Sequence, residues 1–176
     1  MQRKEGSPRA RLLSLLVAVA AAVAALDQIS KSIVVRAIPH NTRIPVVPGL
    51  LDFTCHFNRG ALFGSLQGYR IVLLVVTPLI GAFVVWYYSQ AAAERPWTRW
   101  GLILVLGGAI GNFLDRIHPG AVIDFILFHW YDRWEWYVFN VADSAITIGV
   151  MILVIDTLRE FREERKVIRD DAPYPH

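Results

Sequence analysis

Apolar residues gather into four blocks along this chain, at positions 12–26, 71–88, 100–114 and 138–155. The first three carry no charge, the first continues past Asp27 to Val35, and the fourth holds a single charge, Asp143. A helix needs roughly 17–25 mainly apolar residues to cross a bilayer. The second and fourth blocks meet that length directly. The first meets it once the Asp27–Lys31 end is counted, and the third once it starts near Trp97. The pattern predicts one membrane domain over 1–176, with spans at about 12–35, 69–90, 97–115 and 138–158. Outward loops fall at about 36–68 and 116–138, and a tail at 159–176.

A second periodicity lies in the first outward loop. In 51–58, Leu51, Phe53, Cys55 and Phe57 alternate with Asp52, Thr54, His56 and Asn58. Period two predicts a half-buried strand. Ile44-Pro45-Val46-Val47 precedes it, and Pro48-Gly49 supplies a turn between them. The expected fold is an all-α membrane protein of four transmembrane helices with a small extracytoplasmic β-hairpin or sheet. The second loop carries Trp130, Tyr131, Trp134, Trp136 and Tyr137, the residue types of a membrane–water interface. Asp132, Arg133 and Glu135 read as solvated among them.

Composition adds little to this: 55% hydrophobic and 19% charged over 176 residues is only mildly unusual. The placement of Lys and Arg adds more. Arg3, Lys4, Arg9 and Arg11 precede the first span, Arg95 and Arg99 lie between the second and third, and five basic residues from Arg159 to Arg169 follow the fourth. These regions share one side if the spans alternate, which puts both termini in the cytoplasm. Membrane lipids are the expected surroundings and no nucleic-acid partner is expected. The basic start and apolar run at 12–25 also resemble a cleavable signal peptide. The helical pattern continuing past any cleavage site favours an uncleaved first span. Cys55 is the single cysteine, so no intrachain disulfide forms. It reads as buried and inert, since adjacent His56 would point to the opposite face of a strand.

Ionisable groups inside apolar runs are costly and mark candidate sites. Asp27 and Lys31 share a helix face at i,i+4 and can pair, as a structural ion pair or as part of a site. Gly107 and Gly111 form a small-xxx-small packing stripe. Asn112 and Asp115 share a face. Asp115 sits beside Arg116, which offers it a clamp, or Asp115 is itself catalytic. Asn140 fits an N-cap with Asp143 at N3, where the helix dipole favours a carboxylate. That placement does not account for Asp124, 19 positions earlier in an apolar setting of its own. Two carboxylates at one membrane surface suggest a shared-proton acid–base pair. Geometry alone leaves either Asp115 or Asp124 as the partner of Asp143. Asn58 and the glycines after it form a loop suited to an extended backbone, a weak signal by itself.

Five segments together resemble the lipoprotein signal peptidase (signal peptidase II) family of bacterial membrane aspartyl endopeptidases. They are DQISK (27–31), FNRGALFG (57–64), GGAIGNFLDR (107–116), VIDFI (122–126) and FNVADSAITIG (139–149). They occur in the family's order over all four predicted spans. Leu62 departs from the small residue the family often carries there, and the long charged tail matches no motif. The resemblance implies a catalytic dyad at Asp124 and Asp143. It gives supporting or binding roles to Asp27, Lys31, Asn58, Gly60, Gly108, Asn112, Asp115, Arg116, Asn140 and Ala142. It implies cleavage of the signal peptide from a diacylglyceryl-modified prolipoprotein, just before the lipidated cysteine, with no metal or organic cofactor. It also implies sensitivity to the cyclic peptide globomycin and a bacterial cytoplasmic (inner) membrane location with the site near the outer surface. A monomer is expected. The alternative class is a small proton- or ion-coupled transporter, which predicts charges near the midplane and internal repeats; the chain shows no repeat.

Overall fold

A computed structural model describes residues 8–58, 70–90, 95–118, 120–131 and 133–170. Among these residues, four helices are long and apolar enough to cross a membrane. They are α1 (Pro8–Ala37), α2 (Arg70–Gln90), α3 (Pro96–Ile117) and α4 (Val141–Asp170). Four strands lie between them: β1 (Arg43–Val47), β2 (Leu51–Asn58), β3 (Val122–Trp130) and β4 (Trp134–Glu135).

Helix α3 is the packing centre, with α1, α2 and α4 against it. Glycines set how closely they approach. A Cβ at Gly107 would stand 2.7 Å from Val23 Cβ of α1, and one at Gly111 would stand 2.6 Å from Asp27 Oδ2. Both contacts are below van der Waals distance, so the stripe read from sequence does bring α1 against α3. Leu16, Ala20, Val84, Tyr88, Leu102, Ile103 and Leu106 fill the core between α1, α2 and α3. The buried Tyr88 hydroxyl donates to the Leu12 carbonyl at 2.9 Å. At the far end from the sheet, Thr98 donates to Asp156 and Arg95 pairs with Glu160, tying the start of α3 to α4. Pro78 sits inside α2, which neighbouring helices tolerate in a membrane.

The strands form one antiparallel sheet in the order β1-β2-β3-β4. The hairpin expected around Pro48-Gly49 is β1–β2, and Gly49 takes φ +78° at its turn. The alternation within β2 does not bury one face throughout. Asp52 and Thr54 are buried while Phe53 is exposed; then Cys55 is buried and His56 exposed. The pairing with β3 shifts register between Phe53 and His56. An extra residue at such a bulge moves all later side chains to the opposite face. Cys55 is free and buried, as expected, and packs with Val34, Ile38 and Phe125 beneath the sheet.

Three features depart from the expected outline. The segment read as the second outward loop contains β3, the strand that joins β2 to β4. Glu135 is exposed as expected but forms two hydrogen bonds with Arg43, at 2.6 and 3.0 Å. Helix α4 continues through most of the segment read as a tail. Its 30 residues extend about 45 Å at 1.5 Å per residue, beyond a hydrocarbon core of about 30 Å. Asp132, Gly60 and Leu62 lie outside the described residues.

Candidate active site

The site forms where α4 begins. Asn140 immediately precedes the helix, and its side-chain Oδ1 accepts from the Asp143 backbone N–H at 2.8 Å. Asp143 Oδ2 accepts in return from the Asn140 backbone N–H at 3.2 Å. This is a reciprocal capping box, with aspartate in the place usually held by Glu or Gln. The Ala142 backbone N–H, which has no intrahelical partner at the second helical position, donates to Asp27 Oδ1 of α1 at 2.9 Å. Ala142 is fully buried. A Cβ at Gly108 of α3 would overlap its carbonyl. Gly108 and Ala142 are small because α3 must lie against the first turn of α4.

Beneath that turn lies an ion-paired cluster. Lys31 is 1% exposed, and its ammonium reaches Asp27 Oδ2 at 2.6 Å, Asp115 Oδ2 at 2.7 Å and Asn112 Oδ1 at 3.2 Å. Asp115 Oδ2 also accepts from the Ile123 backbone N–H at 3.1 Å, at the start of β3. Asp115 Oδ1 accepts from Gln28 at 2.8 Å. The i,i+4 pair in α1 therefore forms, and Asp115 shares the same ammonium. Arg116 donates from Nη1 to the Asn112 carbonyl at 2.9 Å and lines the cavity described below. Gln28 was not singled out from the sequence, although it spans Asp115, the Gly111 carbonyl (3.1 Å) and Asp27 (3.3 Å). Its signal was a third polar side chain beside Asp27 in an otherwise apolar run.

Asp124 and Asp143 are held differently. Asp124 Oδ1 accepts from Asn140 Nδ2 at 2.7 Å and its Oδ2 from Asn58 Nδ2 at 3.0 Å. Asp143 Oδ1 accepts from Asn112 Nδ2 at 2.7 Å. Every side-chain donor named here is a neutral amide. Both carboxylates line one cavity of about 1090 Å³, with Asn58, Asn112 and Arg116 at its polar end. Apolar Ile80, Val105, Ala109 and Ile146 from three helices line its other walls, with Trp130, Trp134 and Trp136 near the sheet. Burial and the neighbouring Asp143 charge push the Asp124 carboxyl up to about 7, against the pull of its bonds to Asn58 and Asn140. A carboxyl there holds its proton well above the ordinary range, as expected for close carboxylates in a poorly solvated site.

Of the residues singled out from sequence, Asp27, Lys31, Asn58, Gly108, Asn112, Asp115, Arg116, Asp124, Asn140, Ala142 and Asp143 converge at this end of the helices. Two carboxyls and the Arg116 guanidinium therefore face one cavity at this end. Fold and site together define a multi-pass membrane enzyme.

Residues 19–159 match the family model described as Signal peptidase (SPase) II. The lipoprotein signal peptidase of Syntrophotalea carbinolica is 40% identical over 149 residues, covering 83% of this chain and 92% of that protein. Two solved structures, each described as a bacterial membrane enzyme, superpose with TM-scores of 0.77 and 0.74 at 30% and 31% identity. They cover 84% and 82% of this chain, and 90% and 93% of their own. The chain belongs to the signal peptidase II family and is a peptidase. The transporter alternative has no support among these relatives.

Proposed function

We infer that this chain is an aspartic endopeptidase that removes the signal peptide from diacylglyceryl-modified prolipoproteins, with Asp124 and Asp143 as the catalytic pair. The observation that carries the reading is the pair itself. Two carboxylates, bonded to neutral amides, face one largely apolar cavity at the sheet end of the helices. Asp115 is the weaker partner for Asp143, because it is ion-paired to Lys31 and, unlike Asp124, is not among the residues lining the cavity. The substrate class follows from the similarity to the lipoprotein signal peptidase of S. carbinolica. An apolar cavity walled by three helices suits a signal peptide and lipid chains that stay in the bilayer.

One carboxylate takes a proton from water as the water attacks the scissile carbonyl, and the protonated partner hydrogen-bonds that carbonyl. No metal or organic cofactor is required. Asn58 and Asn140 orient Asp124, Asn112 orients Asp143, and Arg116 offers a cation at the cavity wall. Gly60 belongs to the loop after Asn58 and has a substrate-facing role in this reading. The basic residues flanking the spans support a topology with both termini in the cytoplasm. The sheet and site then lie at the extracytoplasmic surface of the bacterial inner membrane, and the chain acts as a monomer.

The test is cleavage of a lipidated prolipoprotein by the purified chain in detergent, followed by gel shift. The reading predicts signal-peptide release that requires the lipid modification and is blocked by globomycin. Cleavage of lipidated and unlipidated substrate at equal rates would contradict the substrate assignment.

A further inference from the structure

Helix α4 runs on past its apolar part as a charged segment that the peptidase chemistry does not use. It continues to Asp170, beyond residue 159 where the family match ends. Its charges are sorted by face. At about 100° per residue, Arg159, Arg162, Arg165, Lys166 and Arg169 fall within an arc of about 120° centred on Arg162. Glu160, Glu163 and Glu164 fall about 100–200° from that centre. A segment of nearly balanced charge thus has a basic face and an acidic one.

The acidic side is turned to the bundle. Asp156 lies about 120° from Arg162 and accepts from Thr98 of α3. Glu160 lies about 160° from Arg162 and pairs with Arg95, just before α3. The basic arc therefore points away from α3, and its side chains at 159, 162, 165 and 166 are exposed. Depth follows from the helix rise. Val141 to Leu158 climbs about 26 Å, close to a hydrocarbon core of about 30 Å. Arg159 then stands at the hydrocarbon edge and Lys166 about 10 Å further out. A headgroup layer and a Debye length of about 8 Å cover that interval. Leu158 and Phe161 flank the arc at the hydrocarbon edge, 51% and 58% exposed.

We propose that Arg159, Arg162, Arg165 and Lys166 form a docking face for anionic phospholipid headgroups, at the end of α4 farthest from the active site. The guanidinium groups take phosphate oxygens in charge-assisted pairs, while Leu158 and Phe161 meet the upper acyl chains. A zwitterionic headgroup brings its own cation to the same place and so gains less. A second copy of the chain is the poorer occupant, because a two-fold axis would set this basic face against itself.

The test places a fluorophore on Leu158→Cys, beside the arc, in the full chain reconstituted in phosphatidylcholine vesicles. The native Cys55 is buried, and a labelled sample without Leu158→Cys supplies the background. Quenching by trace nitroxide-chain phosphatidylglycerol is compared with quenching by nitroxide-chain phosphatidylcholine. The ratio should be about fivefold or more, the worth of one cation at an anionic surface, and should collapse near 1 M salt, where the Debye length is about 3 Å. Replacing the four cations with Gln should bring the ratio close to unity while cleavage of lipidated prolipoprotein in detergent persists. Arg162→Glu/Glu164→Arg keeps the net charge but breaks the face, and should also lose most of the preference. Equal quenching in the parent chain overturns the proposal, as does a preference that survives either set of substitutions. If the fourfold variant does not fold, the charge exchange and the salt series decide. A dimer that forms in the parent chain and dissolves in the charge-exchange variant would assign the face to a second copy instead.

Discussion

Four aspartates gather at the sheet end of the helices, and they behave as two kinds of group. Asp27 and Asp115 are sealed beneath the start of α4 against the ammonium of Lys31. Asp124 and Asp143 lie a few ångströms away in sequence-distant elements, face a cavity, and bond to neutral amides. The residue type is the same and both settings are poorly solvated. The partner decides the role. Ion pairing to Lys31 commits the Asp27 and Asp115 carboxyls to holding helices together. Neutral donors hold a carboxylate in place and leave its proton exchangeable.

The largest effect expected from breaking this contrast is on the closed cluster. Lys31→Ala leaves two carboxylates buried without their cation and should cost about 3–5 kcal/mol, as when one partner of a buried pair is removed. A thermal melt in detergent would read this as a large fall in Tm or a failure to fold. Asn140→Ala breaks the tie between the two groups. It should cost about 1 kcal/mol as a lost cap and lower kcat by about 10²-fold as the bond to Asp124 is lost, so activity falls far more than Tm. The exchangeable proton predicts a pH dependence. In the aspartic-peptidase reading one carboxyl of the pair must be protonated, and that of Asp124 is pushed up to about 7. Cleavage should therefore hold through neutrality and fall as pH rises above about 7, read from initial rates across pH.

The smallest effect lies in the sheet. Asp52 of β2 stands 3.1 Å from His129 Nε2 of β3, and pairing with this carboxylate raises the His129 imidazolium above the ordinary histidine value. A raised value means the stabilisation is complete below the ordinary value and lost as pH rises through the raised one. The Tm gap between wild type and Asp52→Asn should therefore be widest in mild acid and close in mild base.

The helices were legible because lipid-facing segments must be apolar throughout. All four appear within a few residues of the predicted spans, except where α4 runs on through charged sequence. The hairpin was legible from the turn residues Pro48-Gly49. Strand β3 was not, because Val122 to Phe125 are all buried and so show no alternation. The facing of β2 was misread because a bulge leaves no mark in a polarity pattern. At the site, motif spacing found Asp124, Asp143 and their asparagines. It could not separate Asp115 from Asp124, since that depends on Lys31 arriving from a helix more than 80 residues away in sequence. Gln28 escaped notice because its partners are equally remote.

The most direct test of the central claim compares cleavage of a lipidated prolipoprotein by wild type and by folded Asp115→Asn, Asp124→Asn and Asp143→Asn. The account predicts that Asp124→Asn and Asp143→Asn lose cleavage while Asp115→Asn retains part of it. Cleavage by Asp124→Asn together with an inactive, folded Asp115→Asn would contradict it and move the dyad to Asp115 and Asp143.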